Sequence, residues 1–159
     1  MDLKPEGARI AQLGAPERAK YGKDLVSGKV NVSQYTKNVC YDTVAFTRFL
    51  LGSSGITPKD VVTVQAQGWV GKLKFDSGTK WDGTTAMKAG SAVGFYRVID
   101  KRFFHCALAT GGSKVRAVNG HVLGAGWEEV DLKKILGDAD KEKQFDFDGA
   151  KIEVWISKV

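Results

Sequence analysis

NVCYDTVAFTRFLLG, residues 38–52, reads as one buried helix, and the fold class follows from what surrounds it. Asn38 is the expected cap, Cys40, Tyr41 and Asp42 form the first turn, and Gly52 stops the helix. Ala45, Phe46, Phe49 and Leu50 recur at helical spacing on one face, so that face must be covered. The first turn also carries a cysteine, where unpaired backbone N–H groups and the helix dipole favour a thiolate.

Downstream the character changes. Ala92–Ile99 (AVGFYRVI), Phe103–Thr110 (FFHCALAT), Lys114–Asn119 (KVRAVN) and Ile152–Ser157 (IEVWIS) are rich in β-branched and aromatic residues and read as strands. Asp131–Leu136 reads as a short helix capped by Asp131. A helix followed by an antiparallel sheet is an α+β order: the N-terminal helix carrying the cysteine packs on the sheet. Upstream, residues 1–37 are broken by Pro5, Gly7, Gly14, Pro16, Gly22 and Gly28 and read as an N-terminal wrap on a core spanning 38–159, with a short helix over Pro16–Val26. Asp60–Gln67 fits a helix or a strand. The glycine-punctuated stretch from Gly71 to Gly83 reads as a cleft-lining loop, and Trp69 and Trp81 fit either a cleft wall or the core.

At 159 residues the chain is one domain, and 43% apolar residues suffice for a core. The net charge is +6, but the lysines are dispersed, so no dense basic block calls for nucleic acid. A basic, β-rich, non-catalytic module for an anionic polymer is the alternative reading, and it requires steeply salt-dependent binding. No apolar run is long enough to cross a membrane, and Met1–Glu6 has no apolar signal core. The expectation is a cytoplasmic product, or one exported by a signal-independent system. Two cysteines, Cys40 and Cys106, make no disulfide framework and no CxxC pair, and neither a cofactor nor a metal is implied. A Cys40–Cys106 bridge stays open beside two free thiols.

His105 is the second reactive group. Gly111-Gly112-Ser113 suits a hairpin tip, and a turn centred on Gly112 pairs Thr110 with Lys114, Ala109 with Val115 and Ala107 with Ala117. The same register sets His105 opposite Asn119, a group that could orient the imidazole. His121 is the competing third residue. Beside His105 and Asn119 this face presents Ala107, Ala109, Val115 and Ala117, small enough for a helix to approach closely. The expectation is that the Cys40 helix docks there, bringing the thiol to the imidazole. A zinc site from Cys40, His105, Cys106 and His121 is disfavoured, because adjacent strand residues point to opposite faces.

A cysteine opening a buried helix, a histidine on a later strand and a polar residue on the next resemble the papain-like cysteine hydrolases, in their NlpC and CHAP branches. Met87–Tyr96 (MKAGSAVGFY) is similar to the lead-in to the histidine strand in that family, with Ser91 where an Asp is usual. The resemblance covers about residues 34–130. It implies that Cys40 is the nucleophile, His105 the base and then acid, Asn119 the orienting residue, and Gln34 an oxyanion donor beside the Cys40 N–H. It further implies hydrolysis of a peptide or amide, such as a cell-wall peptide, through an acyl-enzyme. A bacterial effector of this kind would have an inhibitor or immunity protein as partner. Deamidation and acyl transfer use the same groups.

Overall fold

A computed structural model describes residues 1–159. It is α+β, with six α-helices and a seven-stranded antiparallel sheet. Helices α1 (Pro5–Ala11), α2 (Ala15–Ser27), α3 (Cys40–Leu50), α4 (Pro58–Thr63) and α5 (Gly68–Leu73) precede the whole sheet, and α6 (Leu132–Leu136) lies within its second half. The strands are β1 (Thr79–Lys80), β2 (Ala92–Arg97), β3 (Arg102–Gly111), β4 (Lys114–Arg116), β5 (Glu129–Asp131), β6 (Phe145–Phe147) and β7 (Ala150–Ile156). They run in the order β1-β7-β2-β3-β4-β5, with β6 also paired to β7. No helix is long and apolar enough to cross a membrane.

The sheet is apolar on both faces, and each face has its own core. On the first, α3 lays Tyr41, Val44, Ala45, Phe46, Phe49 and Leu50 into a cluster with Phe75, Phe103, Cys106, Leu108, Val118 and Trp127. On the second, Val93, Phe95, Ala107, Ala109, Val115 and Ala117 meet Trp81, Leu123, Leu132, Phe145 and Val154. Strand alternation divides β3 between them, with Cys106 and Leu108 on one side and Ala107 and Ala109 on the other. Gly94, paired with Cys106, keeps the first face open: a Cβ there would lie 2.8 Å from the Phe75 ring.

Several sequence expectations need correcting. Val39, not Asn38, precedes α3, and no side chain caps that helix. Asp60–Gln67 opens as helix, because Thr57 and Asp60 form a reciprocal capping box at the start of α4. The stretch from Gly71 is not a cleft loop. Trp69, Leu73 and Phe75 are fully buried, and α5 plus a 3-10 turn at Phe75–Ser77 carries them into the first core. Trp81 is core too, stacked on Phe145 at 5.7 Å. Asp131 caps α6 by accepting from the Lys133 N–H, as its position suggested.

Candidate functional site

The β3–β4 hairpin sets the site's geometry. Ala109 faces Val115 and Leu108 faces Arg116, the register read from the turn, while an irregularity at the tip pairs Lys114 with Gly111 rather than Thr110. Regular pairing ends at Arg116, and the Ala117 carbonyl then accepts from the Trp127 N–H. Between them the chain leaves the sheet as a loop. Asn119, His121 and Trp127 all take left-handed backbone there, with φ of 59°, 50° and 63°. Side chains larger than glycine rarely adopt this region, and such strain concentrates at functional sites.

The loop closes over His105. Its imidazole is 3% exposed and stacks on Phe95 with ring centroids 5.3 Å apart. Nε2 lies 3.3 Å from the Leu123 carbonyl, which can only accept, so Nε2 carries the proton and Nδ1 is the free acceptor. Burial pushes the His105 pKa down to about 4, aided by His121 and opposed by the Leu123 carbonyl. The ring is therefore neutral at pH 7.

Gly120 packs so close to that ring that a Cβ would sit 2.2 Å from Nε2. Gly120→Ala should therefore displace the imidazole and lower stability by about 1–3 kcal/mol, measured by urea unfolding.

A cavity of about 570 Å³ opens beside His105, lined by Phe104, His105, Asn119, Gly120, His121, Val122, Leu123, Phe147 and Asp148. Phe104 reaches it because β2 and β3 slip by one residue. Phe95 faces His105 but Tyr96 faces Phe103, leaving Phe104 as an extra residue. His105 and Asn119 thus come together at one cavity, although the ladder expected to pair them has ended, and His121 joins them. Phe147 and Asp148 were not foreseen. They arrive from β6 and the turn after it, and nothing in that stretch marks it as a neighbour of His105.

Cys40 is not there. The expectation that α3 docks on the alanine face of the hairpin is overturned, since α3 packs on the opposite face, against Cys106 and Leu108. The reason is size and parity. Phe46, Phe49 and Leu50 occupy the Leu108 face, while the room left by Ala107, Ala109 and Ala117 is filled by Trp81, Phe145 and Leu123. Cys40 thus lies across β3 from His105. Burial raises its thiol pKa, and the backbone N–H groups of Cys106, Tyr41 and Cys40 itself only partly oppose this. Cys106 is wholly buried, its thiol pushed well up, and both cysteines are free. Gln34 is exposed at the end of a 3-10 turn and is absent from the cavity wall.

No protein-family model and no curated protein matches the chain.

Two residues read only as helix turn are buried. Asp42, 4% exposed, accepts the Ala66 N–H at 3.1 Å and the Trp69 indole N–H at 3.0 Å, tying α3 to α5. Burial raises its pKa. Tyr41, 3% exposed, is driven up by burial as well. No group of three or more His, Cys, Asp or Glu side chains is arranged to hold a metal ion.

Proposed function

We propose that the chain is a binding domain whose site is the His105 cavity, and that its ligand is a short peptide or another amide-bearing molecule. The observation carrying this is the cavity itself: about 570 Å³, walled by Phe104 and Phe147, with polar groups of His105, Asn119, His121 and Asp148 at its lining. That size and that mixture of aromatic wall with a few polar groups are what ligand sites use. Amides carry both a donor and an acceptor. Asn119 can answer each of them, Asp148 accepts, and the neutral His105 ring offers Nδ1. A base whose pKa is about 4 is poorly matched to proton abstraction at pH 7, which favours binding over acid–base catalysis.

The test is an amide-resolved NMR titration of the whole protein with N-acetyl-Ala-Leu-Ala-amide. Shifts should concentrate at Phe104, His105 and residues 119–123, and Gly120→Ala should abolish them. Cys40→Ala should leave them intact. Shifts scattered over the surface, or a titration needing Cys40, would overturn the assignment.

A second reading, a papain-like cysteine hydrolase cutting amide bonds through an acyl-enzyme, draws on one observation. Cys40 is the first residue of an eleven-residue helix, with three backbone N–H groups favouring its thiolate. It needs His105 to reach the other face of β3. Its mark would be turnover of peptide amides, cell-wall peptides included, that vanishes in both Cys40→Ala and His105→Ala.

A further inference from the structure

The His105 cavity does not end at its two phenylalanines. A smaller hollow of about 130 Å³ shares Phe104, Phe147 and Asp148 with it and continues to Arg97, Asp100 and Arg102. The far end of the β2–β3 hairpin builds this hollow, and there Arg97 directly faces Arg102 in the ladder. Like charges opposed across an antiparallel pair are destabilising, so local stability does not explain the arrangement. Arg97 meets Asp100 at 3.5 Å. Arg102 pairs with no carboxylate of the chain.

From this juxtaposition, and resting on the reading of the His105 cavity as a binding site, we infer that Arg97 and Arg102 hold a carboxylate of the ligand. The ligand is then a short peptide with a free carboxylate at one end, an apolar side chain between Phe104 and Phe147, and amides at Asn119 and His105. Guanidinium groups match a planar carboxylate through paired N–H donors. The charge around them favours a single negative group. Asp100 and Asp148 share the groove, so a phosphate dianion would meet more repulsion than a carboxylate. Because Phe104 is the extra residue, Arg102 and His105 lie only two ladder steps apart, opposite Arg97 and Phe95, roughly 7 Å along the strand, which a short extended peptide spans.

The experiment uses the whole protein and four probes followed by the same NMR titration. They are N-acetyl-Ala-Leu-Ala as free acid, its C-terminal amide, N-acetyl-Ala-Leu-Asp-amide, and inorganic phosphate. The free acid should bind about tenfold more tightly than its amide, shifting Arg102 as well as residues 119–123. Arg102→Gln should erase that difference, and it should fold, since it also removes the like-charge pair. The aspartyl peptide separates the carboxylate's source: binding like the acid means a side chain is accepted, and binding like the neutral amide means a chain terminus is required. If acid and amide bind equally and Arg102→Gln changes neither, the carboxylate inference fails while the cavity reading stands. If no peptide shifts the cavity residues, both fail. Phosphate binding as tightly as the acid peptide would overturn the choice of a peptide carboxylate.

Discussion

Between pH 6.5 and about pH 4 the protein should lose on the order of 3 kcal/mol of stability through His105 alone. The folded state holds this imidazole neutral, with its pKa depressed by burial from the ordinary 6.5 to about 4. In the unfolded chain it protonates near 6.5, so between the two values the unfolded state binds more protons. Stability must then fall as pH falls through that window. The contribution is complete above pH 6.5, shrinks steadily below it, and is flat again once both states are protonated. Urea unfolding from pH 3.5 to 7.5, with wild type beside His105→Gln, isolates it. The stability difference between the two proteins should narrow as pH drops from 6.5 to 4. Parallel curves would mean that the ring is solvated and that the loop over it is open in solution.

Asp42→Ala should cost about 3 kcal/mol, while Asp42→Asn should cost less than about 1 kcal/mol. One oxygen, Oδ1, accepts both the Ala66 N–H and the Trp69 indole N–H. Alanine leaves two donors unpaired beside a fully buried indole. Asparagine keeps an acceptor at the same place, and it removes a carboxylate whose charge burial already disfavours. Thermal unfolding followed by tryptophan fluorescence checks both variants. Equal losses would show that the negative charge, rather than the acceptor, joins α3 to α5.

How much of this was legible in the sequence depends on how local the signal was. Helix α3 and strands β2, β3 and β7 were readable, because 3.6-residue and two-residue periodicities are local properties of the chain. The three-residue strands β5 and β6 were not, since only their partners make them strands. The stretch from Gly71 misled for a related reason. Glycines that resemble loop punctuation allow close approaches; a Cβ on Gly78 would meet the Ile156 carbonyl. Buried Trp69, Leu73 and Phe75 then override local propensity.

At the site, the hairpin tip predicted that His105 and Asn119 would be neighbours, and they share a cavity. The parity of β3 was equally legible, since His105 alternates with Cys106. Which face of β3 the cysteine helix would cover was not. A patch of alanines says that something approaches closely without saying what, and here it admits Trp81, Phe145 and Leu123. Phe147 and Asp148 reach His105 only through the pairing of β6 with β7. No sequence spacing encodes that contact.

The separation of Cys40 from His105 by the sheet is tested most directly by the rate of Cys40 alkylation with iodoacetamide from pH 4 to 10. Wild type and His105→Ala would be compared, with modification sites read by mass spectrometry. A Cys40 thiol with a pKa above that of a free cysteine, unchanged when His105 is removed, is the predicted result. A depressed pKa that rises in His105→Ala would contradict it, and would place thiol and imidazole in one catalytic pair.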